Sequence, residues 1–168
     1  MQIKFDGPWS FENGAWEAHI QAGPGVYRLL AWDRETDKAR PIGRANGIDP
    51  AGILDIGESK NLWGRLVTMR QAINGGKASH AAGLKFHWWE YADVFPVTDL
   101  KIEFVQLPTK EQAVAVEVVA ISDYLYRFKD LPPLNSTKGN RAATAKWIES
   151  QGQKPYNDDN SLNVQGLL

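Results

Sequence analysis

In the stretch ILDIGESKNLWGRL, residues 53–66, Asp55 stands between Leu54 and Ile56, inside a run otherwise apolar enough to be a buried strand. Strand interiors disfavour aspartate, and a carboxylate removed from water is costly unless it is paired, protonated or bound to a metal ion. On a helical wheel of about 100° per residue, Arg65 falls about −60° from Leu62, on the shoulder of the stripe Leu62, Leu66, Met69 and Ile73. Glu117 has the same place, again at about −60°, beside a stripe of Val114, Val118, Ile121, Leu125 and Phe128. One reading makes Arg65 and Glu117 long side chains whose stems cover apolar surface while their heads reach water. The other joins them with Asp55 as three ionisable groups gathered against a core. Asp123, opposite the second stripe, reads as a solvated charge.

The elements that must hold these groups follow from pattern. VYRLLAW (26–32) is a strand by its aromatic and branched residues, and GILDIG (52–57) is a second, pairing antiparallel with the first across a polar loop over 33–50. Ser59 caps a helix from Lys60 that NGG (74–76) ends. LKIEFVQL (100–107) alternates as a strand, and Thr109 with Gln112 has capping-box spacing for a helix over 110–129, stopped by LPPLN (131–135). Residues 77–99 show no clean period, which leaves helix and strand both open there. The first 22 residues, with Trp9 and Trp16 between turn signals, form a short hairpin or extended arm over an edge of the core. A last short helix is expected over 141–150, followed by a polar tail over 151–168 whose QGQKPYNDDN (151–160) is polar enough to be mobile. The fold class is α/β of the α+β kind, with one domain over 1–150 and no internal repeat.

A chain of 168 residues, 43% hydrophobic, suits one core. The absence of cysteine excludes disulfides, thiolate metal sites and cysteine nucleophiles, and fits a reducing compartment, the cytoplasm being the simplest expectation. The N-terminal MQIKFDGPWS lacks the layout of a secretion signal, and no run of 18 apolar residues occurs, so no membrane partner is expected. The net charge is −1, yet residues 28–85 hold ten Lys/Arg against six Asp/Glu, +4, which leaves −5 elsewhere. That asymmetry permits an anionic partner, with modest non-specific affinity.

GVY at 25–27, DIGES at 55–59, NL at 61–62, Arg65, Glu117 and the asparagine of PPLN at 135 resemble the ordered motif set of the GIY-YIG nucleases. The resemblance runs from about Gly25 to Asn135, with its motifs on the expected strand, loop, strand and helix. It implies a small antiparallel sheet of about three strands flanked by helices, with the active site across one sheet face. It further implies Tyr27, Arg65, Glu117 and Asn135 as functional positions, DNA as substrate, and phosphodiester hydrolysis assisted by one divalent ion, Mg²⁺ or Mn²⁺. Glu117 would then be the metal ligand, with waters filling most of the octahedron, and Arg65 would hold two phosphate oxygens in the transition state. Tyr27 would orient or deprotonate the attacking water, which requires its pKa to fall from about 10 toward neutrality. Asn135 would tie the loop after the helix to the site.

Two positions depart from the family pattern. Asp55 replaces the second motif tyrosine, and Met69 stands where many members carry histidine or tyrosine one helical turn after the arginine. Asp55 can act as a general base or additional metal ligand, whereas Met69 cannot transfer a proton. The expectation is a metal-dependent DNA endonuclease; the alternative is a nucleic-acid-binding or regulatory module that keeps the fold without turnover. His19, His80 and His87 lack zinc spacing and read as ordinary surface or hydrogen-bonded histidines. The HWWEY run (87–91) reads as core or domain-edge packing rather than a base-stacking surface, and GPG (23–25) as a turn. Arg28, Lys60, Arg70, Lys77, Lys85 and Lys138 are candidate phosphate contacts.

Overall fold

The computed structural model describes residues 3–164. Strand β1 spans Asp6–Ser10, β2 Gly25–Asp33, β3 Lys38–Ala39, β4 Ile42–Arg44, β5 Gly47–Asp49, β6 Ile53–Ser59 and β7 Leu100–Gln106. The helices are α1 (Leu62–Ile73), α2 (Ala81–Trp88), α3 (Lys110–Phe128) and α4 (Arg141–Ser150).

β2 is the middle of the sheet because its sequence is apolar toward both faces and both its edges are paired. β6 lies antiparallel on one edge and β7 on the other, and β1 adds to the far side of β7. The three expected strands are thus the centre of a larger antiparallel sheet, which β3 extends at the end of β2. The connection over 33–50 is not irregular throughout, since β4 and β5 form a separate hairpin within it.

Alternation along β2 sends Tyr27, Leu29 and Ala31 into one core with Leu62, Leu66, Met69 and Ile73 of α1 and Phe86 of α2. Val26 and Leu30 point the other way, into a core with Ala113, Val116, Ile121 and Tyr124 of α3. Val118 belongs to neither; it packs with Ala145 and Ile148 of α4. The buried face of α3 is therefore shifted from the stripe read through Val114, with Ala113, Val116 and Tyr124 on the sheet side while α4 covers Val118.

Helix ends follow their caps. Thr109 accepts the Gln112 amide at 3.2 Å, as its spacing suggests. α1 starts at Leu62 and not Lys60, because Asn61 accepts the Gly64 amide at 3.1 Å while the Ser59 hydroxyl is bonded to the Asn61 backbone. Residues 77–99 hold α2 and two 3-10 turns, at Tyr91–Asp93 and Val97–Asp99. Trp88 and Trp89, expected in packing, are instead exposed. The N-terminal arm joins the sheet through β1 and buries Phe11 and Trp16; its residues 1–2 lie outside the described residues. In the described part of the polar tail Tyr156 bridges Leu162, which is buried against α4; residues 165–168 lie outside the described residues. No described helix is long and apolar enough to cross a membrane.

Candidate active site

Asp55 reaches the interior because its ladder partner is Leu29, on the same sheet face as Tyr27. Leu29 pairs with Asp55 but Leu30 with Ile53, so Leu54 is an extra residue, a bulge of the kind that re-aims side chains. Leu54 and Asp55 both fall on the Tyr27 face, and an aspartate between two apolar neighbours ends 3% exposed. There the Tyr27 hydroxyl donates to Asp55 Oδ2 at 2.7 Å. Gly57, opposite Tyr27 in the ladder, makes room for the ring: a Cβ there would stand 2.5 Å from the Tyr27 hydroxyl oxygen and 2.6 Å from Cζ.

His80 completes the chain of contacts. It is the N-cap of α2, with Nδ1 accepting the Gly83 amide at 3.2 Å, which leaves the ring proton on Nε2. Nε2 lies 3.3 Å from the Tyr27 oxygen, so His80 donates to Tyr27 and Tyr27 to Asp55. Burial and the nearby Arg65 charge push the His80 pKa down to about 3, and the imidazole is neutral. Nothing in its spacing marks this residue, since its partner lies 53 positions away.

Arg65 projects from α1 toward the same place, and its charge bears on Tyr27, Asp55 and His80. Its Nε is buried without a partner, and among the described residues Arg65 forms no ion pair. Met69, one turn on, is fully buried in the core. Glu117 comes from α3, flanked by Val116 on the sheet side and Val118 on the α4 side. Burial, then the charges of Glu58 and Asp55, raises its carboxyl to about 7 against the pull of Lys110, which is ion-paired to Glu58. The loop before α4 passes close by: a Cβ on Gly139, at φ +75°, would stand 3.4 Å from Glu117 Oε2.

Asn135 closes the edge of β6. Its amide accepts the Ile56 N–H at 2.9 Å and donates to the Ile56 carbonyl at 2.8 Å, and the Leu134 N–H bonds the Leu54 carbonyl at 2.9 Å. PPLN thereby acts as a short extra strand beside the bulge. Lys85 is held there too, donating to the Leu134 carbonyl at 3.0 Å and to Ser136.

The other basic candidates are scattered. Arg28 lies on the opposite sheet face, paired with Glu103 and stacked over Phe5, so it does not face the site. Arg70 is tied to Glu17 at 2.7 Å, over the Trp16 ring. Lys60, Lys77 and Lys138 are exposed.

The electrostatics correct one expectation. Burial, the Asp55 charge and the hydrogen bond to Asp55 hold the Tyr27 pKa well above its ordinary value, outweighing Arg65. Tyr27 is a neutral phenol that orients Asp55, not a group lowered toward neutrality. Asp55 is the titrating group: burial raises it to about 6, while the Tyr27 bond and the Arg65 and Lys85 charges restrain the rise. No set of three or more His, Asp or Glu placed to hold a metal occurs among the described residues. Glu117 and Asp55 still offer hard oxygen donors whose crowded negative charge a divalent cation would relieve, and Mg²⁺ commonly takes one or two carboxylates and completes its shell with water and phosphate. Compared with known proteins, the chain matches no family model, no curated protein and no solved structure.

Proposed function

We propose that the chain is a metal-dependent endonuclease that hydrolyses phosphodiester bonds in DNA. The observation that carries this reading is the unpaired Arg65 guanidinium, partly buried beside Asp55, Tyr27 and His80 with Glu117 nearby. A partly buried cation left without a carboxylate partner suits a transient anion, and guanidinium suits the two oxygens of a phosphate. The motif resemblance to GIY-YIG nucleases supports the same assignment.

Asp55, ionised above about 6, accepts the proton of the attacking water, and Tyr27 fixes its orientation. As the new P–O bond forms and the bond to the leaving oxygen breaks, Arg65 stabilises the added charge on the phosphate. Glu117 would hold Mg²⁺ or Mn²⁺, which supplies charge stabilisation at the phosphate and leaving oxygen. A cysteine-free chain with this activity fits the cytoplasm.

Met69 favours a second reading, a nucleic-acid-binding or regulatory module without turnover, because it puts a buried thioether where proton transfer would be useful. Nicking of supercoiled plasmid with Mg²⁺ or Mn²⁺ separates the two. The endonuclease reading expects cleavage that Glu117→Ala lowers at least about 100-fold. Salt-sensitive binding without cleavage favours the second reading, and cleavage unchanged in Glu117→Ala removes the mechanism.

A further inference from the structure

Trp88 and Trp89 end α2 at the surface, 69% and 57% exposed. Two adjacent indoles left in water forgo the burial that ordinarily makes tryptophan useful to a fold, and exposed aromatic surface of this kind marks an interaction site. The segment leading to them is basic, although Glu90 and Asp93 follow them at the surface. From Lys60 to Trp89 the chain carries Lys60, Arg65, Arg70, Lys77 and Lys85 and no aspartate or glutamate. With Arg65 in the site and Arg70 tied to Glu17, Lys60, Lys77 and Lys85 are the cations this segment presents.

The same helix links the two indoles to the site. His80 at its N-cap touches Tyr27, and the eight residues of α2 place Trp88 about 12 Å further along the axis. Lys85 lies between, its Nζ 5.4 Å from the Trp89 ring centroid and bonded to the Leu134 carbonyl beside Asn135. Strand backbone bound at Arg65 would therefore pass Lys85 on its way to the tryptophans.

In a duplex the base faces are stacked on one another, and a protein meets only groove edges and backbone. Exposed indoles find a partner in bases whose faces are free, and such stacking tolerates any sequence. Resting on the nucleic-acid reading of the site, we infer that the chain takes DNA with unpaired bases next to the bound phosphate, Trp88 and Trp89 stacking on those bases while Lys77 and Lys85 hold the backbone.

The test is fluorescence anisotropy in EDTA, where no turnover occurs, with a labelled oligothymidylate of about 20 nucleotides and a blunt hairpin duplex. The expected result is preference for the single strand, with Trp88→Ala/Trp89→Ala weakening it about ten-fold or more and barely changing the duplex. Trp88→Phe/Trp89→Phe retains most of the affinity, because the ring face survives. Unchanged single-strand affinity in the alanine variant, equal loss on both ligands, preference for oligouridylate, or a dimer that the alanine variant disperses would each overturn the inference. Tryptophan-dependent binding without plasmid cleavage would retire the endonuclease reading and leave this inference standing. Duplex cleavage indifferent to both tryptophans would do the reverse.

Discussion

The Tyr27 hydroxyl and Asp55 Oδ2 stand 2.7 Å apart, both residues nearly sealed from solvent. The contact exists because Asp55 pairs with Leu29 on the Tyr27 face of the sheet and a glycine lets the tyrosine ring lie across the neighbouring strand. It makes the carboxylate, not the phenol, the group whose protonation changes near neutrality.

That assignment has a consequence for stability. Asp55 titrates at about 6 in the fold against 3.8 unfolded, so its charged form is disfavoured by folding. The penalty is absent below the unfolded value, where both states are protonated, and complete above about 6; two units correspond to roughly 3 kcal/mol. Without metal, Asp55→Asn should melt higher than the native chain at about pH 8, and the gap should shrink as pH falls toward 4. A gain equal at both ends would mean the benefit is not electrostatic.

His80 titrates with the opposite sign. Its folded pKa of about 3 lies below the ordinary value of 6.5, so the stability it confers is present above 6.5 and lost as pH falls toward 3. Asparagine is a good N-cap without a titrating ring. His80→Asn should therefore gain on the native chain by about 2 kcal/mol between pH 7 and 5, while His80→Ala, which also removes the cap, is less stable than His80→Asn by about 1 kcal/mol. Urea denaturation across that range measures both differences.

Gly57 and Tyr27 should prove strongly coupled. An alanine Cβ would meet the tyrosine ring at 2.5 to 2.7 Å, and the ring must shift. Gly57→Ala is expected to cost about 1–3 kcal/mol as overpacking, and much less in a Tyr27→Ala background, where the obstructing ring is gone. Equal costs in the two backgrounds would show that the backbone, not the ring, needs the glycine.

What could be read from the chain alone was what depends on periodicity. Leu62, Leu66, Met69 and Ile73 all reach the core because one helix meets one sheet face. The stripe of α3 was only partly placed: Val118 and Ile121 are buried as read, but Ala113, Val116 and Tyr124 were missed because the helix packs on two neighbours and the small Ala113 carries little hydrophobic signal. Asp55 stood out as an anomaly, but the partner that resolves it is Tyr27, 28 residues away on β2. His80 gave no signal because its cap partner is three residues away and its site partner fifty-three. Trp88 and Trp89 looked like packing material because composition does not say which end of a short helix meets solvent.

Asn135 acts through the edge of β6, where its two bonds to Ile56 imitate a neighbouring strand one residue from Asp55. Asn135→Ala leaves both Ile56 groups unpaired, and at about 0.5–1.5 kcal/mol per bond the loss should be about 1–3 kcal/mol. Asn135→Asp keeps the acceptor and loses the donor, so it should fall between native and alanine. Amide exchange reports the cause: the Ile56 N–H should exchange faster in Asn135→Ala, while the Leu29 amide, paired inside the sheet, keeps its protection relative to global unfolding. Uniform acceleration at both positions would assign the effect to overall destabilisation and remove Asn135 from the role of holding the bulge.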